Sequence, residues 1–400
     1  MIDSSLTSTR SPLLRVHQAV IAFYAVAPFL YLLKPMQGST AVSVLLRMME
    51  PLLIVIAGGI LLVQIVRSGK IKIDIYIVIF LFLMMYGFFT GIFMGNEISS
   101  VFSGFSHLLA GILLYWYNKN CNLEQGDIEY FVVKLIKYAV YANTIVILLM
   151  YAVNKLIGPT YYIGLDASIY LLALYWWLDR KKLLMMPFVL AMIFLSGKRG
   201  VLVVSMFGYW LSWLTLSVSR ARLYVKLILV GIVLLIGLQV SGVDLSQTKA
   251  YQKIEAIRSL SIAEYSSERI AEVKSAWKGW VESPTEVLFG SGLGFSYTFY
   301  YDDPKITPEE NYHNIHFSPL NVLVIWGLPL SIVAFLLLAY QMWRIRGRFT
   351  GLDGVMRLTA YSYFLYSIFV FNLFNEPVLW TFVGLLLNPA SRKEFVRRVG

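Results

Sequence analysis

Apolar residues run along this chain in blocks of about 20, the length a helix needs to cross the hydrocarbon core of a bilayer. Short polar segments separate most of the blocks. The pattern predicts twelve spans, at 16–33, 44–66, 75–94, 98–117, 131–154, 161–178, 183–196, 200–217, 224–242, 313–342, 355–373 and 376–389. The seventh and twelfth are short, as tilted, partial or re-entrant helices would be. From 243 to 312 the pattern gives way to mostly polar sequence. Neither a repeat of about 20–50 residues nor a pair of matching halves of the transporter kind is visible. The expected fold is an all-α polytopic membrane protein of about 12 transmembrane helices with one long loop. It divides into helices one to nine over 1–242, the loop with short amphipathic helices over 243–312, and helices ten to twelve with a basic tail over 313–400.

Within the loop, Ser261-Ile-Ala-Glu264 has capping-box spacing, and Ser267 can start a helix that runs to about Glu282. Ile270, Val273, Trp277 and Val281 share one face of it, which suits the membrane surface or the side of the bundle. Ser283-Pro284 ends it. Gly290-Ser-Gly-Leu-Gly294 follows, a flexible turn that lets backbone approach a ligand closely, so Gly292 and Gly294 are candidate substrate contacts. It lacks the G-K-[ST] of a Walker loop and the strand and helix of a dinucleotide fingerprint. Asp302-Asp303 reads as a solvated turn before Pro304. Apolar sequence resumes with Asn311-Tyr-His-Asn-Ile-His316. His313, His316, Leu320, Leu323 and Gly327 are spaced +3, +4, +3, +4, which predicts a single helical face with Pro319 near its first turn.

Composition strengthens the membrane reading. Of the 400 residues, 58% are hydrophobic and 14% charged, against about 25% charged in soluble domains. Mean hydropathy is +0.67. A soluble enzyme with a single anchor is excluded. The lone cysteine, Cys121, excludes an internal disulfide, and no Cys/His metal pattern is present. Arg10 and Arg15 precede an apolar run with no small-residue cleavage site, so that run is expected to be a retained first span.

Charge then orients the spans. With the N-terminus inside, 22 of the 34 Lys and Arg fall on the cytoplasmic side, five in short external loops and seven in the long loop. The long loop itself carries eleven Asp and Glu. Both termini are therefore expected in the cytoplasm and the long loop outside. The net charge of +11 is mostly this topology signal, with some attraction to anionic membrane lipids. The basic residues form no continuous stripe, which argues against nucleic acid.

Two external sites break the charge rule. Lys198 and Arg199, in Phe194–Val204, lie between two short spans at the external face. A cation near the membrane surface either snorkels to lipid phosphate, pairs with a carboxylate, or binds an anion. Snorkelling suffices for Lys198, and Arg199 is the anion-ligand candidate. Arg269 sits in the first turn of the loop helix, against the helix dipole; an ion pair with Glu264 or Glu272 would account for it without a function. His313 and His316 suit general-base work, or else hydrogen bonding to lipid headgroups.

Taken in order, these segments resemble the bacterial O-antigen polymerase and O-antigen ligase group of membrane glycosyltransferases. The resemblance rests on Ser196-Gly-Lys-Arg199-Gly200, on Arg269, Trp277, Pro284 and the glycine turn, and on a histidine eleven residues before a glycine, here His316 and Gly327. The ligase pattern His-[Asn/Ser/Gln]-x9-Gly is met only in register, because Phe317 follows His316, while His313-Asn314 has the dipeptide three residues early. The resemblance covers about 190–330. It implies a GT-C-like helical fold in the bacterial inner membrane, acting at the periplasmic face on a glycan carried by undecaprenyl diphosphate. Arg199 and Arg269 would hold the diphosphate, with Lys198, Asn314, Gly292 and Gly294 as further substrate contacts, and His316 or His313 would activate the acceptor hydroxyl, with no cofactor or metal. A chain-length regulator and a flippase are the implied partners besides membrane lipids. The polymerase is the leading reading and the ligase the runner-up. A polysaccharide flippase or transporter is the alternative of another class.

Overall fold

The computed structural model describes residues 14–32, 58, 59, 63, 74–121, 123–157, 169–180, 185–195, 201, 203–208, 267–300, 308–313, 315–368 and 377–389. The spans expected at 44–66, 200–217 and 224–242 fall wholly or mostly outside these residues. Among the described residues six helices precede the polar segment: α1 (Leu14–Leu32), α2 (Ile75–Phe93), α3 (Ile98–Asn120), α4 (Gln125–Ile157), α5 (Ile169–Asp179) and α6 (Met185–Leu195). Within the segment lie α7 (Ser267–Val281), α8 (Pro284–Phe289), β1 (Tyr297–Phe299) and β2 (Glu309–Tyr312). Helices α9 (Ser318–Arg344), α10 (Gly351–Ile368) and α11 (Pro377–Leu386) follow.

Each described helix outside 243–312 falls on a predicted apolar span. Among the described residues four helices are long and apolar enough to cross a membrane: α2, α3, α4 over Gln125–Leu149, and α9. The chain is a multi-pass membrane protein. Helix α2 displays the physics of such a span. Tyr76, Ile77, Phe80, Leu83, Met84, Gly87 and Gly91 are buried, while Ile75, Val78, Phe82, Met85, Phe89 and Ile92 stay exposed. Both faces are apolar, and only the spacing of burial separates the side that meets protein from the side left for lipid.

Polar groups gather at the two ends of these helices. At one end Asp74 caps α2 through Ile77 N at 3.0 Å and accepts Tyr115 Oη at 3.0 Å. Its carboxylate also meets Lys119 at the end of α3 and stands 3.9 Å from Arg344 at the end of α9. On the same end of α3, buried His17 Nε2 lies 2.9 Å from Asn118 Oδ1, and Asn388 Nδ2 donates to the carbonyls of Asn118 and Cys121. This knot ties α1, α3 and the end of α11. The opposite ends of α2, α3 and α9 face the polar segment, roughly 30–40 Å away for helices of these lengths.

Two expectations are corrected here. The fold is not purely helical, since β1 and β2 pair antiparallel with Tyr297 opposite Tyr312 and Phe299 opposite Glu309, and a bulge between. The run Phe-Ser-Tyr-Thr-Phe-Tyr over 295–300 alternates aromatic and hydroxyl side chains, and the Tyr297–Tyr312 and Phe299–Tyr312 ring contacts hold the ladder. The second correction concerns α9. It begins at Ser318, with Phe317 at the N-cap position, so His313 and His316 precede the helix and do not share a face of it. Pro319 explains the late start, because proline fits a first turn but has no N–H for the carbonyl four residues back, at Ile315, so the helix cannot continue upstream through it.

Helix α9 also breaks at Gly327, where φ is 69° and ψ 170°. Pro329 has no N–H to offer the carbonyl of Ile325, four residues back. The carbonyls of Val324 and Ile325 instead accept the amides of Ser291 and Gly292 at 2.7 and 3.1 Å. The glycine turn is thus docked in the break. Its other side lies on α2, where Leu293 N donates to Gly87 O at 2.8 Å. Gly87 and Gly91 form a G-x-x-x-G pair, a spacing that admits close backbone approach in membranes, and here the neighbour is a turn. Asn96 Nδ2 closes the arrangement with bonds of 2.8 Å to the carbonyls of both Ser291 and Leu293.

A Cβ on Gly292 would stand 2.0 Å from Gly91 N, and Gly292 has a φ of +77°. Gly292→Ala and Gly91→Ala should each cost at least about 3 kcal/mol, since the methyl meets backbone that cannot rotate away. Gly126→Ala, where a Cβ meets nothing within 4 Å, should be neutral or slightly stabilising. Thermal unfolding of the detergent-solubilised protein reads the difference. Equal Tm values for Gly292→Ala and Gly126→Ala would contradict the docked turn.

Candidate active site

Helix α7 turns its small-residue side inward. Ala271, Glu272, Ser275, Ala276 and Trp280 are buried, whereas Ile270, Trp277 and Val281 are exposed. The apolar face expected to meet the bundle or the membrane surface is thus the outer one, and the bundle takes the face of small side chains. Small residues let α7 approach β1 and α9 closely, and that brings Glu272 to the mouth of α9 with 4% of its surface exposed.

A buried carboxylate needs compensating donors, and His316 supplies two. One oxygen of Glu272 accepts the backbone N–H of His316, and the other accepts its ring Nδ1 at 2.8 Å. A carboxylate only accepts, so Nδ1 is the donor in this contact. The two-point contact fixes ring and main chain together. This is the geometry in which a carboxylate orients a histidine base.

His313 is held differently. Its Nδ1 donates to Phe295 O at 3.0 Å, and its Nε2 is 3.8 Å from Glu97 Oε2. Glu97, just ahead of α3, also accepts the hydroxyls of Ser99 and Ser100 in its first turn. The two histidines therefore part company, His316 toward α7 and His313 toward the start of α3. Placement separates the remaining candidates too. Lys198, Arg199 and Asn314 lie outside the described residues, and Arg269 is described only as part of the α7 backbone. Glu272, considered above as a partner for Arg269, is engaged by His316. Gly292 and Gly294 sit on protein backbone, Gly292 against Gly91 and Gly294 against Val101.

Glu272 is the residue that sequence reasoning missed as a functional group. The available signal was its position among Ala271, Ser275 and Ala276, a carboxylate on the one face of α7 narrow enough to pack. Asn96 and the Gly87/Gly91 pair were missed as well, because what they bind is nearly two hundred residues away in the chain.

Fold and site together define a multi-pass membrane protein with a carboxylate-oriented histidine at the mouth of a broken span. Residues 184–335 match the family model described as O-antigen ligase, a stretch that includes α7, the docked turn, both histidines and Gly327. Over this stretch, 152 of the 400 residues, the chain is similar to the O-antigen polymerase and ligase family. No curated protein matches the chain.

Glu272→Ala should destabilise the protein by about 1–3 kcal/mol, because it leaves two donors of His316 without their acceptor in a closed site. Glu282→Ala, on the exposed end of α7, should change stability by less than about 0.5 kcal/mol. Tm measurements on the two variants compare them directly. An unchanged Tm for Glu272→Ala would mean that the carboxylate does not hold the histidine.

Proposed function

We propose that the chain is a surface-polysaccharide polymerase of the O-antigen type. It transfers a glycan from undecaprenyl diphosphate to a lipid-linked repeat unit at the periplasmic face of the bacterial inner membrane. The observation that carries this reading is the Glu272–His316 pair. In the proposed step the acceptor hydroxyl oxygen attacks the anomeric carbon of the donor, and its proton passes to His316 Nε2. The bond from that carbon to the diphosphate breaks, and its electron pair leaves with undecaprenyl diphosphate. Such a leaving group needs cationic stabilisation more than an acid, which is the role assigned to Arg199 and Arg269. Guanidinium groups suit it because they engage phosphate oxygens in pairs.

Periplasmic orientation is supported by charge. The end of the bundle that holds Lys119 and Arg344 is the basic, cytoplasmic end by the positive-inside rule, and the histidines stand at the other. Polymerase is preferred over ligase because of Phe317. A small polar residue after the histidine, as in the ligase pattern, would stand at the N-cap of α9, and Phe317 makes no side-chain capping bond there. The ligase, passing finished glycan to lipid A-core, is the second reading, favoured by the description of the matching family model.

Deleting the gene and examining the lipopolysaccharide ladder separates the two. Core bearing a single repeat supports the polymerase. Loss of all attached O-antigen with accumulation of lipid-linked polymer means ligase, and a normal ladder with every other surface glycan unchanged removes both. With purified protein and lipid-linked glycan, His316→Ala should lower turnover by about 10²–10⁴-fold and Glu272→Gln by less, since Gln still accepts one bond. Arg199→Ala and Arg269→Ala should also lose turnover. Full activity in all four would end the mechanism.

A further inference from the structure

Beside the Glu272–His316 pair lies an open cleft of about 220 Å³, between the far end of α7 and the β1 strand. Ser275 and Ala276, the next turn of α7 after Glu272, form one wall, and Ile315, the neighbour of His316, forms part of another. Glu272 and His316 do not line it themselves; the cleft lies about one helical turn from Glu272 and takes in the residue before His316. It is smaller than the roughly 300–1,000 Å³ that engulfs a drug-sized ligand, and suits the end of a longer molecule.

The lining has a definite chemistry. Ser296, Thr298 and Tyr300 bring hydroxyls, and Glu282 and Glu286 bring carboxylates. Trp280 and the half-exposed ring of Tyr300 bring aromatic surface. These groups are held in place. Ser275 Oγ accepts Tyr300 N at 3.0 Å, Trp280 Nε1 donates to Glu286 O at 3.0 Å, and Ser291 Oγ donates to the Glu286 carboxylate. The cleft is thus anchored to the same glycine turn that docks in α9. Among the described residues its one lining cation, Lys278, stands 3.9 Å from Glu282 and over the Tyr300 ring at 5.4 Å. Two carboxylates against one lysine give a site that repels phosphate. Carboxylates and hydroxyls accept from and donate to neighbouring ring hydroxyls, and an aromatic face covers the C–H side of a pyranose.

We propose that this cleft binds the unphosphorylated sugar end of the acceptor glycan and so presents its hydroxyl to His316. The inference rests on the transfer reading above and adds to it a separate subsite, distinct from whatever holds the diphosphate. The acceptor is favoured over the donor because the donor sugar must reach the histidine with its diphosphate attached, and the cleft is acidic.

The test uses full-length protein in nanodiscs, with two readouts. In transfer assays, Tyr300→Ala and Glu282→Gln should raise KM for the acceptor about tenfold, with kcat within about threefold and donor KM unchanged. In a binding arm, the probe is the repeat-unit oligosaccharide freed of lipid and phosphate, followed by saturation-transfer NMR. It should bind wild type and His316→Ala alike, bind Tyr300→Ala about tenfold more weakly, and resist displacement by sodium pyrophosphate. A KM change confined to the donor, displacement by pyrophosphate, or equal binding by Tyr300→Ala would overturn the proposal. Transfer with normal acceptor KM in both variants would remove the cleft and leave the transfer reading standing. Binding without any transfer would do the reverse.

Discussion

The structure turns on a substitution of hydrogen bonds. Gly327 and Pro329 take α9 out of its regular ladder, and the carbonyls released at Val324 and Ile325 would be costly to leave unmet inside a membrane protein. The amides of Ser291 and Gly292 meet them. A turn from the polar segment thereby becomes part of the span, and the span holds the turn. Two defects that each look destabilising on their own, a broken helix and a glycine-rich loop, satisfy one another.

The rest of the site depends on that junction. Helix α8 leads into the turn, and α7 precedes it by only two residues, so docking the turn places α7 over the mouth of α9. Glu272 then faces His316. Ser291 contributes twice, through its amide to α9 and through its hydroxyl to Glu286. Substitutions in the turn should therefore reach the histidine without touching it, through the placement of α7. Because the turn also lies on Gly87 and Gly91, α2 takes part in that placement from the far side of the bundle.

Polar groups are divided between two ends, and the division carries functional meaning. One end collects Asp74, Lys119 and Arg344, a closed set that seals the ends of α2, α3 and α9. The other end carries Glu97, both histidines and the polar segment, with His316 paired to Glu272 and His313 near Glu97. The first set gathers two cations on one carboxylate and stays basic. The second holds a base, hydroxyls and carboxylates in positions from which they can meet a substrate.

From residues alone, the apolar blocks located the described spans, most closely α2 at Ile75–Phe93 against an expected 75–94 and less closely α4 at Gln125–Ile157 against 131–154. That succeeds because in lipid backbone groups must be met by protein, which for an unbroken span means within the segment, so length and hydropathy suffice to place it. The loop helix starting at Ser267 was legible for a similar local reason, its apolar period and its terminating Ser-Pro. The error at His313 and His316 came from extending a helical period through Phe317 and Pro319, where local spacing holds but backbone preference does not. The glycine turn was visible as a flexible segment, yet its partner was not, since nothing in Gly290–Gly294 states that a break at Gly327 awaits it. Glu272 was invisible as an acceptor for the same reason. A carboxylate on a surface-like helix and a histidine forty-four residues later become a pair only when tertiary packing removes both from water and makes each the other's solvent.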